Sequence, residues 1–312
     1  MTPRKSWRVV NGVLLLDKPP GVSSNRALQS VRRIFGAAKA GHTGTLDPCA
    51  TGLLVVLFGE ATRFAGALLG ADKIYDATIR LGVTTSTGDA EGEILTTCDP
   101  DVSREAVDRV VASFVGEIDQ VPPRHSALKK DGKPYYAYAR AGQEIERQPR
   151  KIAVHRLDVR SFDGRTVELE AHVGTGTYVR TLAEDIGTKL GCGGHLAALR
   201  RTQVGSFRLA DALTLPELDA MSPDALIGSL RATDELLEGL PQIALSHPTS
   251  LRFTQGQAID HAAGDIKGQV RVYGPDGAFL GRGRATDGRV HPDRLVAGPT
   301  GRNEPDLPCG TS

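Results

Sequence analysis

The chain has 312 residues, a formal net charge of +1 and 40% hydrophobic residues, which suits one large domain or two smaller ones with sizeable cores. No run of about 18 apolar residues occurs, and the first residues lack the apolar segment of a signal peptide. We therefore expect a cytoplasmic protein. The four cysteines form no C-x-x-C pair and have no histidines at zinc-finger spacing, which argues against a disulfide framework and a structural metal site.

Charge is unevenly distributed along the chain although it sums to almost nothing. Residues 1–40 carry a net charge of +7 and residues 124–156 carry +6, whereas residues 209–246 carry −6. Positive segments on a nearly neutral chain suit a polyanion-binding face on a soluble enzyme. Solvated charged surfaces without a partner would give the same pattern.

The N-terminal part of the chain predicts a strand, a helix and a buried segment. Residues 9–18 favour a strand that ends in a Pro-Pro-Gly turn. Residues 23–25 supply an N-cap, and residues 27–35 have the apolar spacing of a helix that Gly36 would end. The apolar run at residues 53–58 fits either a buried strand or the start of a helix.

A constrained turn around Asp47 precedes that apolar run. Gly41 and Gly44 loosen the backbone ahead of it, and Pro48 fixes its own φ and disfavours the α region for Asp47. Such a turn could aim a carboxylate at a substrate. Alternatively, Asp47 could simply bond its own backbone, as aspartates before proline usually do.

The middle of the chain predicts alternating strands and helices. The expected elements are a helix from about 59 to 69, a strand at 73–81, a polar turn at 84–92, a helix at 103–114 and a hairpin of strands at 152–159 and 166–173. Tyr75 lies near the start of the first strand, where a tyrosine usually packs in the core. Residues 119–151 mix basic and aromatic side chains, which suits phosphate contact with base stacking, or an ordinary surface loop.

The C-terminal half begins with two glycines before a basic residue. Gly174 and Gly176 permit close approach of another group, and Arg180 would begin a helix at 181–190. The Arg180 side chain could form a structural salt bridge or contact a ligand. Residues 209–246 are acidic and helical in pattern. We therefore predict a first domain at 1–246, a small β domain at 247–300 and a flexible tail at 301–312.

Common catalytic signatures are missing from the sequence. It has no P-loop, no complete dinucleotide fingerprint, no G-x-S-x-G elbow, no H-E-x-x-H and no deaminase motif. One carboxylate in a tight turn then points to covalent or acid–base catalysis by Asp47.

Six distinctive strings occur in order at residues 12–24, 41–54, 73–75, 126–135, 176–182 and 199–201. Together they resemble the bacterial TruB-type tRNA pseudouridine synthases. The resemblance covers roughly residues 9–297, and several ordered motifs over that span are far more specific than any single one. It implies an α+β fold with a mixed, largely antiparallel central sheet and flanking helices, followed by a small β-barrel-like domain of the PUA type.

The resemblance also implies an activity and a partner. The reaction would be isomerisation of uridine to pseudouridine at position 55 in the T loop of tRNA, by a monomer with no membrane association. Because the reaction breaks the N1–C1′ bond and forms C5–C1′ without redox change, no cofactor and no metal are expected.

The resemblance assigns roles to six residues. Asp47 matches the aspartate that attacks the nucleotide, and Arg180 matches the arginine that pairs with it and would keep it ionised. Tyr75 matches the tyrosine that stacks on the target base. The remaining matches are His42, which supports the flipped loop, and Tyr178 and Leu199, which line the pocket.

Some positions depart from the family pattern. Cys49 replaces a common leucine, Arg63 a lysine, Ser86 an acidic residue and His125 an aromatic residue, while Asp89 is retained. These departures bear on substrate contacts rather than on the reaction.

Three other functions stay open at this level. The protein could be an RNA-folding module whose catalysis is dispensable, or a pseudouridine synthase for another RNA. An aspartyl-phosphate enzyme would require Mg²⁺, but no D-x-D motif follows Asp47.

Overall fold

The computed structural model describes residues 7–126, 128–260 and 266–297. The strands are β1 Gly12–Lys18, β2 Ala40–Thr43, β3 Thr51–Phe58, β4 Lys73–Leu81, β5 Val83–Thr85, β6 Ile94–Thr97, β7 Gly116–Gln120, β8 Lys129–Lys130, β9 Lys133–Pro134, β10 Arg150–Phe162, β11 Thr166–Val173, β12 Gly194–Val204, β13 Phe207–Arg208, β14 Gln242–Ala244, β15 Ile259–Asp260, β16 Gly268–Tyr273, β17 Phe279–Thr286 and β18 Arg289–Leu295. The α-helices are α1 Ser24–Phe35, α2 Gly66–Leu69, α3 Arg104–Ala112, α4 Tyr135–Arg140, α5 Val179–Lys189, α6 Leu215–Ala220, α7 Pro223–Gly228 and α8 His247–Thr254. Short 3₁₀ helices cover Gly59–Phe64, Leu209–Asp211 and Thr233–Leu237.

A mixed sheet forms the centre of the larger part of the molecule. Its strands follow the order β1-β3-β12-β4-β11-β10-β7, with β2 and β13 at its margins. The β3–β12 pair is parallel and the other pairs in this sheet are antiparallel. The α+β fold with a largely antiparallel central sheet is therefore confirmed.

The helix α1 follows from its sequence signals. Its N-cap Ser23 accepts a hydrogen bond from the backbone N–H of Arg26, and Gly36 ends it in the left-handed region at φ 60°. Leu28, Val31 and Phe35 lie at helical spacing and are buried against the sheet. This confirms the predicted helix and its apolar face.

Several other predictions are refined by tertiary pairing. Residues 53–58 belong to strand β3, not to a helix, because they pair with β1 along their whole length. The segment predicted as one helix from 59 to 69 divides into a 3₁₀ turn and the short α2. Residues 119–151 contain the hairpin β8–β9 and helix α4 rather than one continuous loop.

The close approach of β3 to β12 depends on one glycine. Gly52 has φ 96°, and a Cβ there would lie 2.3 Å from the backbone oxygen of Arg201. A larger residue would push β12 away from β3. This contact brings the C-terminal end of β12 beside the turn that carries Asp47.

A second, five-stranded sheet follows, in the order β14-β16-β17-β18-β15. It has its own apolar core, which includes Phe253, Val270 and Val290. The small β domain expected at the C-terminus is thus present, and its sheet begins at β14, before the predicted boundary at residue 247. That boundary stays a prediction, and the predicted tail at 301–312 lies outside the described residues.

The two sheets share an apolar contact. The rings of Phe64 and Phe279 lie 5.5 Å apart between centroids, and Phe279 and Val296 join the core cluster of Leu57 and Phe64. Burial of aromatic side chains here stabilises the position of the second sheet. Within the described parts of the chain, no helix has the length and apolar character needed to cross a membrane.

Candidate active site

A buried arginine lies between two carboxylates in the larger part of the molecule. Arg180 Nη2 lies 3.1 Å from Asp47 Oδ2, and Arg180 Nη1 lies 3.2 Å from Asp89 Oδ2. The side chains of Arg180 and Asp89 are only 6% and 4% exposed, whereas that of Asp47 is 39% exposed. The arrangement therefore presents one carboxylate to solvent and buries the charges behind it.

Arg180 is fixed by more than its ion pairs. It donates to the backbone oxygens of Thr87 at 3.3 Å and His125 at 3.0 Å. The backbone of the preceding Tyr178 is held by Gln120, whose amide donates to the Tyr178 oxygen and accepts from the Tyr178 N–H. The guanidinium therefore has a set position before any substrate binds, which is what preorganised electrostatics require.

Buried polar side chains hold the Asp47 turn from several sides. The Ser24 hydroxyl donates to the Leu46 oxygen and accepts from the Leu46 N–H. Lys18 Nζ donates to the Pro48 oxygen at 3.2 Å, and Arg201 donates to the Gly44 oxygen at 2.8 Å. The turn that carries Asp47 is therefore anchored at both ends.

The charge state of Asp47 reflects opposing effects. Burial raises the pKa of the Asp47 carboxyl above its usual value, and the nearby Asp89 carboxylate raises it further, whereas Arg180 and Lys18 lower it. The net direction is upward. The expectation that Arg180 keeps Asp47 ionised is therefore only part of the balance, because desolvation is the larger effect.

Lys18 is a buried cation at the same turn. It is 0% exposed, and its ammonium donates to the oxygens of Pro19, Val22 and Pro48. Burial lowers the pKa of Lys18, and the Asp47 carboxylate is among the charges that oppose this shift. Lys18 thus both holds the turn and supplies positive charge near Asp47.

The structure brings four of the six predicted site residues to one region. Asp47 and Arg180 are in contact, and Tyr178 immediately precedes the helix that carries Arg180. Tyr75 is 8% exposed and packs in the same apolar cluster as Leu46, next to Asp47.

The two remaining residues lie at the margin of this region. Leu199 borders the apolar cluster from β12, and its backbone oxygen accepts from Thr51. His42 lies on β2 opposite Val56, and its buried Nδ1 has no hydrogen-bond partner within the described chain. Burial and the charge of Arg201 lower the pKa of His42.

The departures from the family pattern have identifiable surroundings. Burial raises the pKa of the Cys49 thiol to about 11, which leaves it unreactive at neutral pH. Arg63 forms an ion pair with Glu60, and Ser86 accepts from the Glu93 N–H. His125 contributes its backbone oxygen to Arg180, a contact that does not depend on its ring.

Sequence reasoning gave no role to three buried charged residues. The sequence pattern marks Asp89 only as a retained acid in a polar turn, and it assigns no role to Lys18 or Arg201. The signal that could have found Lys18 and Arg201 is a basic residue within or at the end of an apolar strand. Burial of a cation there costs folding free energy unless the cation has a partner.

Family models match three successive parts of the chain. Residues 32–179 match the TruB family pseudouridylate synthase N-terminal domain, residues 180–238 match the tRNA pseudouridylate synthase B C-terminal domain, and residues 241–296 match the pseudouridine synthase II TruB C-terminal domain. The chain belongs to the TruB family of pseudouridylate synthases.

Curated relatives agree with this assignment over nearly the whole chain. A Nitrosospira multiformis protein named tRNA pseudouridine synthase B is 51% identical over 303 residues, which cover 93% of this chain and 97% of the relative. One of the same name from Cupriavidus metallidurans is 52% identical over 309 residues, covering 94% and 96%. This TruB family member is therefore an enzyme, a pseudouridine synthase.

Solved structures show the same fold at lower identity. An H/ACA RNP bound to a substrate RNA containing 2′-deoxyuridine includes a chain that matches with a TM-score of 0.72 and 25% identity, covering 95% of this TruB family protein and 88% of that chain. An archaeal box H/ACA sRNP Nop10-Cbf5 complex matches with a TM-score of 0.70 and 26% identity, covering 94% and 88%. The predicted pseudouridine synthase fold is thus confirmed.

Proposed function

We propose that this protein isomerises uridine to pseudouridine at position 55 in the T loop of tRNA, with Asp47 as the catalytic nucleophile. The observation that carries the assignment of Asp47 is its partly exposed carboxylate, held by a buried arginine whose charge is also balanced by Asp89. The relatives named tRNA pseudouridine synthase B support the choice of tRNA.

The proposed reaction needs few groups. Asp47 attacks the nucleotide and the N1–C1′ bond breaks. The uracil then turns, a C5–C1′ bond forms, and the bond between the nucleotide and Asp47 breaks, which frees the carboxylate. The proton on C5 is lost and N1 gains one, so the composition of the nucleotide is unchanged and no redox partner is needed. Arg180 holds the Asp47 carboxylate in place during these steps.

Access to the base requires extrusion from the stacked loop. Unstacking costs a few kcal/mol, and stacking on an aromatic ring offsets about 1–3 kcal/mol of it. Tyr75 lies beside the Asp47 turn and can supply that ring. Tyr178 and Leu199 would complete the pocket wall, and His42 would support the displaced loop.

Basic segments and the small β domain provide the remaining RNA contacts in this proposal. Positive charge in residues 1–40 and 124–156 would hold phosphates of the T arm, which makes the affinity salt-dependent. The small β domain at 247–300 would act as a PUA-type RNA-binding module beside a catalytic domain at 1–246. We propose a monomer that acts in the cytoplasm.

Tritium release from uridine C5 tests this function. The substrate is a T-arm stem-loop labelled at C5 of its uridines, incubated with the protein alone and no guide RNA. We expect release by the wild type and a loss of at least about 10⁴-fold with Asp47→Asn, the scale of removing one member of a catalytic unit. Asp219→Asn changes an exposed aspartate on α6 and serves as the matched control.

The outcomes separate the parts of the proposal. Release by Asp47→Asn at the wild-type rate would contradict the role of Asp47. Equal release from a stem-loop with cytidine at position 55 would contradict the site. No release by any form, with tight RNA binding retained, would support an RNA-folding module or a different RNA substrate.

A further inference from the structure

Two histidines and an aspartate meet on the outer face of the central sheet. Asp72 lies just before β4, His155 lies on β10 and His172 lies on β11. His155 Nε2 is 3.2 Å from Asp72 Oδ1, and His172 Nε2 is 3.8 Å from Asp72 Oδ2. The three residues are not close enough in sequence to form a metal-binding motif, so the sequence alone does not predict the cluster.

A β-bulge lies at this cluster. On β10, Val154 pairs with Val173 and Arg156 pairs with His172, so His155 is the extra residue in the ladder. Without the bulge, His155 itself would oppose His172 directly. Bulges re-aim side chains and are common beside functional sites. Across this bulge the two imidazole rings lie 4.8 Å apart between centroids.

The distances fit a metal ion of the zinc type. Two ligand atoms that each lie about 2.0–2.1 Å from zinc in tetrahedral geometry are about 3.4 Å apart. The two Asp72–histidine distances, 3.2 and 3.8 Å, bracket that value. All three ligand atoms lie within 4.8 Å of one another. Small side-chain rotations would therefore close the three donors around one ion, because all three groups are partly exposed.

The surroundings leave room for the rest of a coordination sphere. His155 and Asp72 line a surface cavity of about 310 Å³ together with Glu117 and Lys151. Water can supply a fourth ligand from this cavity. Lys151 is the cation that faces the cavity, and its flexible stem lets the ammonium turn toward solvent.

We propose that Asp72, His155 and His172 form a binding site for a divalent transition-metal ion, with Zn²⁺ as the best match to two imidazoles and one carboxylate. The site would tie the start of β4 to the bulge of β10 and the end of β11. Residues 174–178 follow directly and lead to Arg180. The metal would thus brace the segment that carries part of the active site.

The proposed metal site is separate from the chemistry at Asp47. Tyr75 and Ala171 pair across β4 and β11 and are both buried, whereas His172, next in β11, points to the opposite face. We therefore expect tritium release to continue after chelation of the metal. Failure of the metal site would leave the proposed activity intact, and the reverse also holds.

Calorimetric titration of the full, tag-free chain with Zn²⁺ at neutral pH tests the site. We expect one ion per chain, and a loss of affinity of at least about tenfold with His155→Gln or His172→Gln. Even mutation of residues that only hydrogen-bond to metal ligands lowers metal affinity about 10–100-fold. His291→Gln, an exposed histidine on β18, should leave the affinity unchanged. Thermal unfolding should show a Zn²⁺-dependent rise in Tm for the wild type that both ligand variants lose.

A second candidate cluster requires its own control. Cys49, Asp89 and Glu91 also place their ligand atoms within 4.8 Å of one another. Loss of Zn²⁺ binding in Cys49→Ser but not in His172→Gln would overturn the proposal, as would equal affinity in every variant. Substitution of Co²⁺ adds a readout of ligand type, because bound thiolate gives a sulfur-to-metal absorption band that imidazole and carboxylate do not. Such a band on the bound Co²⁺ would also overturn the proposal.

Discussion

Two charge clusters in this protein have opposite arrangements of sign, and their arginines differ in exposure to solvent. At the active site the cation Arg180 lies between two carboxylates, and its own side chain is 6% exposed. On the outer face of β10 and β11 the anion Glu170 lies between Arg156 and Arg160, whose side chains are 55% and 58% exposed. Contact is close in both clusters, so the difference lies in the burial of the arginines.

The pKa values of the two carboxyl groups shift in opposite directions despite similar contacts. Hydrogen bonding from Arg160 lowers the pKa of Glu170, and burial only partly opposes it. At Asp47 burial is the larger influence and raises the pKa in spite of Arg180. The anionic form of a carboxylate in this setting is less stable than in water, which suits a group that must attack a substrate.

The largest effect on stability is expected at Asp89. Asp89→Asn removes a buried negative charge and leaves Arg180 with one carboxylate. We therefore expect the free energy of unfolding to fall by about 3 kcal/mol, the lower end of the range for breaking a buried ion pair. Urea unfolding at neutral pH measures it. A loss no larger than that of Glu170→Gln would show that burial does not separate the two clusters.

Asp47→Asn should have the opposite sign in the same measurement. The raised pKa means that the folded state binds the Asp47 proton more tightly than the unfolded chain does. Ionisation of Asp47 therefore costs folding free energy, and this cost appears as pH rises through the raised pKa. We expect Asp47→Asn to unfold at the same or a higher Tm than wild type at pH 7.

The comparison in acid completes that test. Any advantage of Asp47→Asn should shrink as pH falls below the pKa of Asp47, where the wild-type carboxyl is already protonated. A clear destabilisation by Asp47→Asn at pH 7 would mean that the ion pair with Arg180 outweighs desolvation.

The same shift should appear in the pH dependence of activity. If Asp47 acts as an anion, kcat/KM falls as pH drops through its pKa, and that fall should lie above the usual aspartate value of 3.8. Tritium release at a series of pH values measures it. Glu170→Gln should leave this fall in place, and a fall at or below the usual value would contradict the effect of burial.

The smallest effect is expected at Glu170. Its lowered pKa contributes stability that is present above the unfolded pKa and lost as pH falls through the folded one. Because the arginines are exposed, we expect Glu170→Gln to cost less than about 1 kcal/mol at neutral pH. The cost should also diminish at high salt. Urea unfolding at two salt concentrations measures both. A loss of stability in Glu170→Gln that does not change with salt would contradict a solvent-screened ion pair.

The sequence by itself determined the local elements and the chemistry-bearing turn. Strand β4 runs over residues 73–81 as its alternation predicts, and α1 has its predicted cap and its stop at Gly36. The Asp47 turn could also be identified, because Gly and Pro set backbone conformation through their immediate neighbours. The roles of the six site residues came from resemblance and stay predictions.

Only the tertiary structure decided which distant groups meet and how deeply they are buried. Arg180 reaches Asp47 from a distant part of the chain, and buried Lys18 and Arg201 hold the backbone of its turn. The contact between His155 and His172 depends on pairing between two strands. Such features are set by strand register and desolvation, which depend on contacts between segments, so the neighbouring sequence does not determine them.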